Sequence, residues 1–216
     1  MPKITREAMR LYAVSDRSWL APGESLAQAA ETLLRSGVTC FQLREKELDR
    51  DAFLELALSI KPVCRRYNVP FLINDDVEVA LACDADGVHV GQSDIKGRDI
   101  RAMIGPDKIL GISAGTVEEA QAAEKAGADY IGVGAVFGTS TKKNARNLSK
   151  EKLKEISSSV SIPVVAIGGI NASNVEELSG CGVDGVAVVS AIFAAKDPGA
   201  ATEHLKTLAA EMVSHE

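Results

Sequence analysis

Eight short runs of apolar and β-branched residues, spaced along the chain with helix-length stretches between them, limit the fold more than any other feature. They are LYAVSD from Leu11, CFQLRE from Cys40, FLIND from Phe71, GVHVG from Gly87, ILGISA from Ile109, YIGVGAVF from Tyr130, PVVAIGG from Pro163 and GVAVVSA from Gly185. The stretches between them carry apolar residues at the helical period, as in Leu26, Ala29, Ala30, Leu33 and Leu34, then Phe53, Ala57, Ile60 and Cys64, and finally Leu205, Leu208, Ala209 and Met212. Strands that are apolar almost throughout have no face fit for water, so helices must cover them. Alternation with helices then implies a parallel sheet, either a barrel or a doubly wound sheet. Eight units favour a closed (β/α)8, or TIM, barrel of the α/β class.

The 216 residues lie near the lower end of the range of about 200 to 400 found for such barrels. No Pro/Ser-rich linker, charge run or low-complexity tract divides the chain, so residues 1–216 are expected to form one domain with few insertions. A weak internal echo runs through ADGVHVG at Ala85, GADYIGVG at Gly127 and VDGVAVVS at Val183, each joining a helix end to a strand through an acid. Its plainest account is a shared solution to the turn between helix and strand.

Charge and cysteine usage narrow the function classes. With 24 Lys plus Arg against 30 Asp plus Glu, the net charge is -6 and the isoelectric point about 5.2. That balance argues against nucleic acid as a partner and leaves room only for a small cationic pocket. No run approaches the ~20 apolar residues of a membrane span. The opening MPKITREAMR lacks the apolar core of a signal peptide, so no membrane association and a cytoplasmic location are expected. Cys40, Cys64, Cys83 and Cys181 form no C-x-x-C pair and mostly lie in apolar segments, as buried free thiols do. The sequence leaves a homo-oligomer open.

In a barrel the loops after the strand C-termini build the site, so polar residues there are weighed first. In Gln42-Leu43-Arg44-Glu45-Lys46 the strand period puts Gln42, Arg44 and Lys46 on one face, provided extension persists that far. The alternative is a strand running out into solvated loop. Asn74-Asp75-Asp76 follows the third strand and Gly91-Gln92-Ser93-Asp94 the fourth. Asp and Asn at such places also serve as helix N-caps. Taken together, Asp75 and Asp94 on adjacent strand ends offer the one or two carboxylates that proteins usually give Mg²⁺, with water and substrate phosphates completing the shell. With Arg44 and Lys46 nearby, a metal-bound pyrophosphate group is the natural ligand.

The sixth strand runs into Gly138-Thr139-Ser140-Thr141-Lys142-Lys143, which reads either as a solvated turn or as hydroxyls for a phosphate or ring with Lys142 supplying charge to a leaving group. Gly168-Gly169 after strand seven and Val189-Ser190 after strand eight stand where barrels frequently bind phosphate through backbone N–H groups, or they form only a tight turn. Gly132-Val133-Gly134 lacks the spacing of a dinucleotide fingerprint. His89, the only histidine inside a strand, reads as a hydrogen-bonded core residue. Trp19, after strand one, is either a lid contact or a packed anchor.

In order along nearly the whole chain, QLREK at Gln42, INDD at Ile73, GVHVGQSD at Gly87, GISA at Gly111, DYIGVGAVFGTSTK at Asp129, AIGGI at Ala166 and the GVAVVSAI end resemble the thiamine phosphate synthase family. The resemblance implies a transferase on a TIM barrel. Such an enzyme joins 4-amino-5-hydroxymethyl-2-methylpyrimidine diphosphate to a thiazole phosphate, releasing pyrophosphate and giving thiamine phosphate. It puts Mg²⁺ on Asp75 and Asp94, and the diphosphate on Arg44, Lys46, Asn74 and Lys142. Gln42 and Ser113 would face the pyrimidine, and Thr139, Thr141, Gly169, Val189 and Ser190 would meet the thiazole phosphate. Arg44, Lys46, Ser113 and Lys142 are the catalytic set it implies, for a dissociative reaction through a pyrimidine carbocation.

Two departures from the family pattern stand out. Where many members carry SAHT or SVHT, this chain has Ser113-Ala114-Gly115-Thr116, without the histidine. Where many carry GPIFPTPTK, Ala135, Gly138 and Ser140 replace the prolines. The second change predicts a less preorganised segment from Thr139 to Lys142, with a raised KM for the thiazole phosphate that Gly138→Pro would lower. The nearest alternative is the paralogous thiazole tautomerase, thought to use the histidine that Gly115 replaces. A non-catalytic barrel sensing thiamine precursors is the alternative from another class. Retention of Asp75, Asp94, Lys46 and Lys142 favours the synthase.

Overall fold

The computed structural model describes residues 4–138 and 148–214. Eight parallel strands close into a barrel in chain order: β1 (Leu11–Val14), β2 (Cys40–Leu43), β3 (Phe71–Asn74), β4 (Gly87–Val90), β5 (Ile109–Ala114), β6 (Tyr130–Gly134), β7 (Val164–Ile167) and β8 (Gly185–Val188), the last pairing back with β1. All eight apolar runs of the sequence are therefore strands. The barrel is wrapped by α1 (Leu26–Arg35), α2 (Arg50–Arg66), α3 (Val77–Ala82), α4 (Ile100–Ile104), α5 (Val117–Lys125), α6 (Lys150–Ser157) and α8 (Pro198–Ser214), with a short α7 (Ser190–Phe193) before the last. The crossover from β7 to β8 carries only a single 3₁₀ turn, Val175–Leu178, where a regular barrel would have a helix.

Local chemistry explains where the helices start. Ser25 and Gln28 form a reciprocal capping box on α1, and Asp49, Asp76, Asp99, Thr116 and Ser149 each accept a backbone N–H at the start of α2 to α6. The announced stripes are buried as Leu26, Ala29, Ala30, Leu33 and Leu34 on α1 and Phe53, Ala57, Ile60 and Cys64 on α2, while on α8 Leu205, Ala209 and Met212 are buried and Leu208 is half-buried. All four cysteines are buried.

Two layers of core result. One fills the space between strands and helices; the other, including Tyr12, Val14, Cys40, Leu72, Ile109, Tyr130 and Val165, fills the barrel itself. Inside the barrel small residues make room for large ones. A Cβ on Gly111 would lie 2.2 Å from Cζ of Tyr130, and one on Gly132 would lie 3.1 Å from Cε1 of His89. The tyrosine and histidine rings occupy the space these glycines leave.

At the strand N-termini one device recurs four times. Thr39, Asp86, Asp129 and Asp184 each precede an even-numbered strand. The main-chain N–H of each donates to the carbonyl of Leu11, Phe71, Leu110 or Val164 on the strand before it, at 2.7 to 2.9 Å. The side-chain oxygen of each accepts the N–H of that same residue, at 2.8 Å in all four cases. The acids of the sequence echo are three of these clamps; Thr39 is a fourth that the echo did not reveal.

Candidate active site

The C-terminal mouth of the barrel is built from dissimilar parts. β2 ends at Leu43, so the extended register that would align Gln42, Arg44 and Lys46 stops before Arg44. Gln42 is buried inside the barrel, whereas Arg44 is half-buried and Lys46 exposed. What anchors Arg44 is its backbone, which donates to Oγ of the fully buried Ser15 at 2.9 Å, while the N–H of Ser15 donates to the Gln42 carbonyl at the same distance. Lys46 reaches across to β3 and pairs with Asp75. The loop between them is tied by an ion pair of Arg17 with Glu45. Burial works against ionisation of Glu45, but Arg17 and the N–H groups of Lys46 and Glu47 outweigh it and hold the carboxyl below its ordinary value.

After β3 the three polar residues divide their roles. Asp76 caps α3, accepting from the Val79 N–H at 2.9 Å. Asp75 does not cap; its backbone is left-handed at φ 63° and its N–H donates to the His89 carbonyl at 2.8 Å, which swings the side chain toward β4 and Lys46. Asn74 ends β3 half-buried beside it. After β4, Asp94 folds back on its own loop and accepts the Gly91 N–H at 2.9 Å. Burial, with the neighbouring Asp75 carboxylate as the next cause, pushes the Asp94 carboxyl above its ordinary range. The structure thus brings Asp75, Asp94 and Lys46 together.

On the far side, Gln92 donates to the Ser113 carbonyl at 2.6 Å, and the Ser113 hydroxyl lies 3.0 Å from Nε2 of His89. Gly115 has its N–H bound by Glu119 Oε2 at 2.6 Å. Val189 and Ser190 begin α7, with Ser190 exposed at the mouth. Gly169 stands at φ 67° against the loop leaving β6. A Cβ there would lie 2.1 Å from the Gly138 carbonyl oxygen, so the close approach requires glycine. The base of that loop is fixed to β7 by Val136 N–H to Ile167 O at 3.1 Å and Phe137 N–H to Gly168 O at 3.0 Å.

Thr139, Thr141 and Lys142 lie outside the described residues. Gly138, just before them, corrects one expectation: its φ is 75°, whereas proline is locked near -65°. Gly138→Pro would therefore rebuild the turn instead of stiffening it. Trp19 is exposed, in a 3₁₀ turn capped by Asp16, and so is no packed anchor.

Sequence reasoning read His89 as a hydrogen-bonded core residue, as it is, but passed over Tyr12 and Tyr130; the three together link Gln42 to Ser113 inside the barrel. The only sequence signal for them was the glycine at positions 111 and 132, whose purpose shows only when the strands close.

A family model described as thiamine monophosphate synthase matches residues 11–192. The chain belongs to that family. It is 51% identical over 197 residues to thiamine-phosphate synthase of Methanobrevibacter smithii, covering 91% of this chain and 93% of that protein. To the protein of the same name in Clostridium botulinum it is 48% identical over 196 residues, covering 91% and 92%. Among solved structures, thiamine phosphate pyrophosphorylase from Pyrococcus furiosus superposes with a TM-score of 0.87 at 39% identity, covering 96% of this chain and 98% of that one. Among the described residues no helix is long and apolar enough to cross a membrane.

Proposed function

We propose that this protein is a thiamine-phosphate synthase, a transferase that condenses 4-amino-5-hydroxymethyl-2-methylpyrimidine diphosphate with 4-methyl-5-(2-phosphoethyl)thiazole, or its carboxylated form, and releases pyrophosphate. The observation that carries the reading is the meeting of Asp75, Asp94 and Lys46 at the ends of β2 to β4, in a chain that aligns nearly end to end with relatives of that name.

The donor set fits Mg²⁺. Asp75 and Asp94, close enough to oppose each other's charge and balanced by one lysine, are the oxygen ligands that would hold a hard dication and whose repulsion it would relieve. When bound, the metal supplies Lewis-acid stabilisation of charge on the leaving diphosphate. The chain's own groups do the remainder. Lys46 lies beside Asp75, Arg44 follows β2, and with Asn74 and Lys142 they are the groups assigned to the diphosphate. As the C–O bond breaks, its electron pair goes to the diphosphate, whose growing charge these cations stabilise. The pyrimidine carbocation left behind is captured by the lone pair of the thiazole nitrogen. Thr139, Thr141, Gly169, Val189 and Ser190 hold the thiazole phosphate, in part through backbone N–H groups, so no nucleophile or strong base is required of the protein. Four buried cysteines and a net charge of -6 suit a cytoplasmic enzyme with small-molecule substrates.

The tautomerase reading has less support: Gly115 holds no side chain, and its N–H is engaged by Glu119. The deciding experiment measures pyrophosphate and thiamine phosphate from purified protein given the pyrimidine diphosphate and Mg²⁺, with and without the thiazole phosphate. Coupled formation of both, abolished by a chelator, is expected. Isomerisation of a thiazole phosphate without condensation would overturn the reading.

A further inference from the structure

A continuous hydrogen-bonded chain crosses the inside of the barrel. Gln42 Nε2 on β2 lies 2.6 Å from the Tyr12 hydroxyl on β1, which lies 2.8 Å from the Tyr130 hydroxyl on β6. That hydroxyl lies 2.8 Å from Nδ1 of His89 on β4, whose Nε2 lies 3.0 Å from the Ser113 hydroxyl on β5. Both phenols are fully buried, with ring centroids 5.9 Å apart. Burial also pushes both well above the ordinary tyrosine range, so each keeps its single proton to donate.

The direction of the chain follows from proton counting. An amide nitrogen only donates, so Gln42 gives a proton to Tyr12. Tyr12 then has its own proton to place. The strong acceptor beside it is Tyr130; the Cys40 thiol, also in contact, is a weak one. Tyr130, having accepted, donates to Nδ1 of His89. The imidazole must then carry its proton on Nε2 and donate to Ser113, which turns the serine hydroxyl proton outward. At the two ends the chain leaves the Gln42 carbonyl oxygen as an acceptor and Ser113 as a donor. Reversed, it would leave the amide as a donor and the serine as an acceptor.

We propose that Tyr12, Tyr130 and His89 are positioning residues that fix this direction, so that the site selects a ring edge bearing an amino group beside an unprotonated ring nitrogen over the same edge in oxo form. This rests on the reading that Gln42 and Ser113 face the pyrimidine. An amino group gives its proton to Gln42 and the ring nitrogen accepts from Ser113. A 4-oxo ring with a protonated nitrogen presents the opposite pattern and leaves both protein groups unmatched, and a site built for one pattern rejects the other strongly. Gly111 and Gly132 belong to the device, since a Cβ at either would press on the tyrosine or histidine ring.

The test begins with the full-length protein labelled with ¹⁵N, in which the His89 ring nitrogens report the tautomer at neutral pH. Protonation on Nε2 is expected; protonation on Nδ1 would overturn the proposal. Calorimetry then compares binding of the 4-amino and 4-oxo pyrimidine diphosphates to the wild type, Tyr130→Phe and Tyr12→Phe, and steady-state assays give KM for each substrate. Tyr130→Phe keeps the ring that fills the space at Gly111. Its expected effect is a roughly tenfold rise in KM for the amino substrate, a matching fall in preference over the oxo form, and an unchanged thiazole-phosphate KM. Tyr12→Phe should act likewise and serves if the first variant does not fold. Unchanged preference in a folded variant would overturn the proposal. Absence of thiamine phosphate from the wild type would instead remove the functional reading, while the His89 spectrum and the binding preference would still decide the direction of the chain.

Discussion

The two ends of the barrel are made by opposite rules. At the N-terminal end, one clamp is used four times, with the same atoms bonded at nearly the same distances from Thr39, Asp86, Asp129 and Asp184. At the C-terminal end the described strand ends carry unlike groups. β2 gives a buried amide and two cations, β3 and β4 give carboxylates, β5 a hydroxyl, and β7 glycines. Repetition marks the end whose task is the same at every strand pair, to satisfy the first N–H and hold the register. Diversity marks the end that must meet a ligand with different chemistry on each side. Carboxylates at the two ends show the contrast directly. Asp129 is matched by Arg101 at 2.6 Å and by the Leu110 N–H, whereas Asp75 and Asp94 are pressed against each other with Lys46.

Breaking each end should therefore give separable effects. Asp94→Asn should lower Mg²⁺-dependent kcat on the order of 10²-fold or more, with thiazole-phosphate binding retained because those contacts come from strands six to eight. Steady-state rates with calorimetry check it, and equal loss of turnover and thiazole-phosphate binding would contradict the division of labour. At the other end, Asp129→Ala should cost about 3 kcal/mol of stability, since it strands the Leu110 N–H and removes one partner of a largely buried ion pair. Arg101 keeps the Gly105 and Lys108 carbonyls, which limits the loss. Denaturant unfolding measures the cost, and the activity of the folded fraction should stay that of the wild type. Thr39→Val removes a neutral acceptor of the same clamp and should cost about 1 kcal/mol by the same measurement. A cost equal to that of Asp129→Ala would show that charge adds nothing to the clamp.

The smallest effect concerns Asp84, an exposed carboxylate held by Lys108 and Lys61, whose hydrogen bonds and charge bring it down to about 2 from an ordinary 3.8. The folded form binds this proton less readily than the unfolded form. Its contribution is thus present above pH 3.8 and is lost as the pH falls toward 2. The stability difference between the wild type and Asp84→Asn should shrink over that window and also in high salt. A difference that held constant through both would sink the assignment.

The alternation of apolar runs with helical stripes, the family motifs and the buried cysteines were all readable along the chain, because each depends on neighbours within a turn or a strand. The three acids of the echo could be read the same way, and their shared turn is what the structure contains. What the sequence left undecided was decided by contacts between distant strands. In Asn74-Asp75-Asp76 either aspartate could have capped the helix, and only the left-handed backbone at Asp75, bonded to His89 on the next strand, sends Asp76 to the cap and Asp75 to the mouth. The hydroxyls of Tyr12 and Tyr130 are 118 residues apart in the chain and become partners only when β6 and β1 face each other across a closed barrel. The sequence by itself determined which segments are strands and which family they compose, because local periodicity and spacing encode both. Only the tertiary structure decided which polar side chains face one another, because closing the barrel sets those distances and no short stretch of chain contains both partners.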